Sequence, residues 1–146
     1  MERLTKPQGI IVHHSATRDT RSLSFPAIAD YHINNQGWDD IGYHFVIEDY
    51  NGEPFLLTGR GVQYKGAHCF GLNDHIGVCV GGNYDTQELP PMLLMKLVNL
   101  LSGLIVVHDL TISDIDYHRN HANKTCPGEK FPSLEQLRAL LRIWNL

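Results

Sequence analysis

The sequence predicts a mixed α/β domain, and three observations carry that prediction. Short apolar runs alternate with stretches of helical periodicity, the arrangement that lays helices against a sheet. Two predicted strands flank Asn51-Gly52, a tight-turn signal, so one pair runs antiparallel and the sheet is not purely parallel. The 146 residues contain no internal repeat and no Pro/Ser/Gly linker, so residues 1–146 read as one domain with room for a substantial core.

Taken in order, Gly9-Ile10-Ile11-Val12-His13 suits a buried strand. Ser24 can cap a helix over Phe25, Ile28, Ala29, His32 and Ile33, closed by Gly37. Tyr43 to Ile47 reads as the next strand, and Phe55 to Thr58 as its hairpin partner. Ile76-Gly77-Val78-Cys79-Val80 reads as a further buried strand ending in Gly81-Gly82. Pro90-Pro91 precede a long helix over Met92 to Val107, and Ile112 to Tyr117 supply a final strand. Ser133 caps the last helix with Gln136 completing a capping box. Leu134, Leu137, Leu140, Leu141 and Trp144 fall on one face of that helix.

Composition narrows the function. With 42% hydrophobic and 19% charged residues, the chain is neither disordered nor of low complexity. A net charge of −4 without a Lys/Arg cluster argues against a nucleic-acid partner. The richest apolar run, Met92 to Val107, is interrupted by Lys96, Asn99 and Ser102. It falls short of the roughly 20 residues of a membrane span, so no membrane partner is expected and the run reads as a buried helix of a soluble protein. The N-terminus shows no signal peptide, which predicts cytoplasmic synthesis. Three cysteines are an odd number and too few for a disulfide framework, so they are expected to be reduced or to serve a metal. Nine histidines exceed what packing needs and point to chemistry.

Three patches gather these residues: His13-His14-Ser15 at the end of the first strand, His118 to His121, and Cys126-Pro127-Gly128. Histidine and cysteine are the usual zinc ligands, and three of them with an open fourth position make a catalytic rather than a structural site. A strand's C-terminal end holds a ligand rigidly and still exposes it. Successive strand side chains face opposite ways, so only one of His13 and His14 faces a given site, and the pattern alone does not choose. The His118-to-Cys126 spacing is not that of a zinc finger, which leaves a polar loop with scattered histidines as the competing reading. Arg60 is either a bidentate partner for a substrate carboxylate or a solvated surface arginine. Cys79, in an apolar strand, reads as a small buried hydrophobe.

Four segments resemble the motifs of a known family. They are Val12-His13-His14-Ser15-Ala16-Thr17, the run from Gln36-Gly37-Trp38 to Ile47, Ile76-Gly77-Val78-Cys79, and His118-Arg119 followed by Lys124-Thr125-Cys126-Pro127-Gly128. In order and over about Gly9 to Pro132, the chain resembles the zinc-dependent N-acetylmuramoyl-L-alanine amidases, a family that includes short phage lysozymes and is similar to peptidoglycan recognition proteins. The resemblance implies one zinc ion per chain, held by His13, His118 and Cys126, with His14 turned away and His121 outside the ligand set. It implies catalytic roles for Tyr43 and Lys124, and contacts to substrate or to the ligands for His68, while His32 and Trp38 support the fold.

The implied reaction is hydrolysis of the amide joining the lactyl group of N-acetylmuramic acid to L-alanine, in intact peptidoglycan or in soluble muropeptides. The alternative is a peptidoglycan-binding module that does not cut. Recognition proteins of that kind typically lack the cysteine ligand, so Cys126 argues for catalysis. The resemblance favours a monomer. Release to the wall through a phage holin and cytoplasmic recycling of wall fragments both fit the absence of a signal peptide.

Overall fold

The computed structural model describes residues 1–17 and 24–144. Its centre is a five-stranded sheet in the order β3-β2-β4-β1-β5. The strands are β1 (Ile10–His14), β2 (Phe45–Tyr50), β3 (Glu53–Thr58), β4 (Ile76–Val80) and β5 (Ile115–Tyr117). β1 runs parallel to β4 and β5, and β2 parallel to β4, while β2 and β3 form an antiparallel hairpin. The expected mixed sheet is therefore present. Every residue of β1 and β4 is buried. Strands covered on both faces have no solvent side to make polar, which is why β4 reads as a continuous apolar run and β1 does so until its closing His13-His14 pair.

Three helices cover the sheet: α1 (Phe25–Asp30), which continues as a π-helical turn over Tyr31–Asn35, α2 (Pro91–Val107) and α3 (Leu134–Trp144). Leu93, Leu97 and Leu101 of α2 and Leu137 and Leu141 of α3 pack on Ile10, Val12, Val78 and Ile115. The opposite face is thinner. There Ile41, Val46 and Cys79 meet Phe25, Ile28 and Ala29 from around α1. The pleat divides β1 between the two layers, so Ile10 and Val12 enter the α2/α3 core and His13 emerges on the α1 side. The sheet thus holds His13 beside its register partner Cys79 on β4.

The hairpin forms as its sequence predicts. Asn51 and Gly52 both take positive φ, 53° and 84°, and Tyr50 pairs with Glu53 across a two-residue turn. That is the turn whose twist matches the strands it joins. The capping box of α3 is also present, with Gln136 N–H donating to Ser133 Oγ at 3.1 Å and Ser133 N–H to Gln136 Oε1 at 2.9 Å.

Several boundaries differ from the sequence reading. Tyr43 lies two residues before β2 instead of within it. The final strand is only Ile115–Tyr117, because Ile112–Asp114 form a 3-10 turn closed by a Thr111/Asp114 capping box. Ser24 makes no cap through its own side chain. The cap comes from Glu48 on β2, whose carboxylate accepts the backbone N–H groups of Ser24 at 2.8 Å and Phe25 at 2.9 Å, and the Ser24 hydroxyl as well. Helix α2 buries one face only, with Val106 and Val107 about three-quarters exposed at its end. Trp144 leaves the α3 apolar face and is 48% exposed. Among the described residues no helix is long and apolar enough to cross a membrane.

Candidate metal centre and its cleft

His13, His118 and Cys126 converge at the C-terminal ends of β1 and β5. His13 Nδ1 lies 3.1 Å from His118 Nδ1 and 3.8 Å from Cys126 Sγ, and one ligand atom from each residue falls within 4.8 Å of the others. Tetrahedral zinc, at about 2.05 Å from nitrogen and about 2.3 Å from sulfur, spaces two nitrogens by roughly 3.3 Å and nitrogen from sulfur by roughly 3.6 Å. The donor set is therefore suited to a zinc ion with shifts of a few tenths of an ångström. All three cysteines are free.

Each donor is held by its own local device. His13 is the fourth residue of β1 and is buried. His118 opens a 3-10 turn, His118–Asn120, directly after β5. Asp116 closes that turn, accepting from Asn120 Nδ2 at 2.6 Å, from His121 Nε2 at 2.9 Å and from the Tyr117 N–H at 2.7 Å. The Cys126 loop is tied to the turn by Arg119 N–H donating to Cys126 O at 2.8 Å. Asp85 pins the same loop from the other side, accepting from the Thr125 hydroxyl and the Glu129 N–H, each at 2.9 Å. Gly128 is required there, since its φ is 126° and a Cβ would stand 2.4 Å from the Tyr84 backbone. His14 faces the opposite side of β1, its Nδ1 accepting the Tyr84 N–H at 3.1 Å.

The electrostatics leave both histidines ready to ligate and the thiol in need of a cation. Burial, reinforced by the neighbouring His68 and His118 rings, holds His13 well below the usual imidazole range. Burial and the Lys124 charge lower His118 as well. Both rings are thus neutral at pH 7 with a lone pair to give. Burial pushes the Cys126 thiol up to about 11, although the His14 N–H at 3.4 Å and the Lys124 charge favour its thiolate. A cation beside it would displace the thiol proton.

Two cavities flank the centre and share Tyr43, His118 and Lys124. One, of ≈ 410 Å³, is lined by His13, Ser15, Asp85 and Cys126 as well. The other, of ≈ 460 Å³, runs past His32, Trp38, His68 and Phe70. The Tyr43 ring centroid lies 5.2 Å from that of His13, and burial raises its phenol well above 10, so it is a hydroxyl donor at neutral pH. Gly42 fixes the approach to Tyr43, since a Cβ there would lie 2.1 Å from the Ala67 carbonyl oxygen. Lys124 is exposed at the rim.

Sequence reasoning therefore named residues that the fold does bring together: His13, His118, Cys126, Tyr43, Lys124 and His68. Arg60 is placed elsewhere. It is buried, 7% exposed, and donates to the carbonyls of Ile41 at 3.1 Å, Lys65 at 2.8 Å and Asp40 at 3.1 Å. Neither a solvated arginine nor a carboxylate partner, it staples the segment that leads to Tyr43. His121 is exposed and bonded to Asp116, outside the donor set. Asp85, Asp116 and Glu48 carry no signal in the sequence, because an acidic residue that accepts backbone N–H groups leaves no local pattern.

This five-stranded mixed sheet with its helices is the amidase and peptidoglycan-recognition fold. The chain belongs to the Amidase_2 family, N-acetylmuramoyl-L-alanine amidase, which matches residues 3–129. It is 33% identical over 125 residues to peptidoglycan-recognition protein SC1a of Drosophila melanogaster, a match covering 81% of this chain and 66% of that protein. It is 31% identical over 127 residues to the endolysin of Enterobacteria phage T3, covering 83% of this chain and 80% of the endolysin. Among solved structures it is similar to the N-acetylmuramoyl-L-alanine amidase LysC from Clostridium intestinale, with 29% identity, a TM-score of 0.80 and coverage of 94% of this chain and 86% of that one.

Proposed function

We propose that this protein is a zinc-dependent N-acetylmuramoyl-L-alanine amidase, hydrolysing the amide between N-acetylmuramic acid and L-alanine in peptidoglycan or its soluble muropeptide fragments. The observation that carries the reading is the convergence of His13, His118 and Cys126 on one point of a cleft that also presents Tyr43 and Lys124. One zinc ion per chain, held by those three residues, supplies Lewis acidity toward the amide carbonyl and acidifies water at neutral pH.

The chain's own residues do the rest. Tyr43, kept protonated by burial, donates its hydroxyl to the oxygen on which charge develops as the carbonyl is attacked. Lys124 brings an ammonium to the same side of the cleft, where it stabilises that charge and can deliver a proton to the leaving amine. Asp85 keeps Lys124 and Cys126 in register by holding Thr125 between them. A module that only binds peptidoglycan has no need of a thiolate at this point, and Cys126 separates the two readings.

The test is product analysis after incubating purified peptidoglycan with the zinc-loaded protein, with and without a chelator. New N-terminal alanine that disappears with chelator and returns with zinc, without new sugar reducing ends, is the expected result. Protein that pellets with the wall and releases no alanine termini overturns the hydrolase and leaves a binding module.

A further inference from the structure

We propose that His68 is a positioning residue for the metal centre: a directed hydrogen-bond relay from the His75 carbonyl through His68 fixes the tautomer of His13, so that Nδ1 of His13 is the nitrogen given to zinc. The inference rests on the zinc reading above.

The direction of the relay follows from its first member. The His75 carbonyl oxygen lies 2.9 Å from His68 Nε2, and a carbonyl can only accept. His68 Nε2 therefore carries the proton, and in the neutral ring Nδ1 carries the lone pair. That Nδ1 lies 2.9 Å from His13 Nε2, so His13 Nε2 must donate. The lone pair of neutral His13 is left on Nδ1, the atom that faces His118 Nδ1 at 3.1 Å and Cys126 Sγ at 3.8 Å. The opposite direction would require a proton from a carbonyl. A ligating imidazole whose other N–H is engaged in this way is fixed in orientation and made more basic toward the metal.

The fold builds a slot for the His68 ring. Its Cδ2 would lie 2.4 Å from a Cβ on Gly66 and 2.5 Å from one on Gly77, so both neighbours must be glycine for the ring to fit. The backbone beneath is fixed by Asn73, whose Oδ1 accepts the N–H groups of His68 at 2.8 Å and Cys69 at 3.0 Å. The ring meets His13 edge-on, with centroids 4.9 Å apart. Both nitrogens of His68 are thus spent inside the protein, and neither ring nitrogen is free for a substrate.

Two measurements test the relay. Long-range proton–nitrogen spectra of the imidazoles in the wild-type protein should show His13 and His68 as Nε2–H tautomers. A proton on Nδ1 of either ring overturns the proposal without any variant having to fold. Zinc affinity, measured by competition with a chromophoric chelator, should fall about 10–100-fold in His68→Phe. It should recover substantially in His68→Asn, whose Oδ1 can accept where Nδ1 did. Equal loss in both variants would mean that the ring only fills space and would overturn the relay. Unchanged affinity in His68→Phe overturns the relay and leaves the zinc reading intact. A wild-type protein that takes up no zinc overturns both.

Discussion

Opposing influences set the ionisation of Cys126: burial pushes the thiol up to about 11, while the His14 N–H and the Lys124 charge favour the thiolate. His13 and His118 are both held below the usual imidazole range. At neutral pH a zinc ion bound as proposed should therefore displace one proton, from Cys126, and none from the histidines. Its apparent affinity should rise about tenfold per pH unit between about pH 7 and 9. Calorimetry in buffers of different ionisation enthalpy should register close to one proton released per ion, and Cys126→Ser should retain no zinc. Lys124→Ala, in contrast, should lower kcat by about 10²–10³ while zinc stoichiometry stays at one, because the ammonium acts on developing charge and not on the ion. Loss of zinc in that variant would remove Lys124 from the oxyanion role. The nine histidines were legible as a signal of chemistry, but only two of them belong to the donor set. His14, His32 and His44 instead accept the backbone N–H groups of Tyr84, Gly42 and Gly77. That task has no sequence signature, since donor and acceptor are distant in the chain.

Among the elements, those specified by neighbours in sequence were readable and those completed by a distant partner were not. The Asn51-Gly52 turn and the Ser133/Gln136 box are closed within a few residues, and both form as expected. Helix α1 looked equally local, with Ser24 before Phe25, yet its N-terminus is satisfied by Glu48 from β2. The charge of that carboxylate also lies at the favourable end of the helix. Glu48→Ala should cost about 1–3 kcal/mol, because it leaves two N–H groups without their acceptor. Ser24→Ala, which keeps both backbone bonds, should cost less. Urea denaturation of the two variants decides between them, and the reverse order would restore Ser24 as the cap. The shortness of β5 has a similar origin. Its apolar pattern runs from Ile112, but the Thr111/Asp114 box turns the chain into a 3-10 helix before Ile115 pairs with Ile10.

For the molecule as a whole, the mixed sheet and its helical layers could be read from alternation, whereas strand order could not, since it depends on which apolar runs meet after the chain has crossed over. The same interior should make stability fall with acidification. Burial holds His14 and His44 below their ordinary value and His68 down to about 3. As pH falls below about 6.5, the unfolded chain binds protons that the folded chain refuses, so stability is full above that range and is lost with acidification. At pH 5.5 His68 alone should account for about 1.4 kcal/mol of that loss in the metal-free protein. Urea midpoints measured at pH 7.5 and 5.5 should show a clear drop, and equal midpoints would mean that these rings are charged in the fold.

His13 and Cys126 are 113 positions apart in the chain, and the pairing of β5 with β1 is what brings His118 beside His13. No growing polypeptide can assemble this triad until Cys126, 126 residues into a chain of 146, has been made. A zinc ion held there, as proposed, would be a clasp joining early and late segments, and would add about 4 kcal/mol at a thousand times its dissociation constant. A copy that stops before Cys126 would therefore be a blank, and the proposed activity would arrive only once both ends of the fold have met.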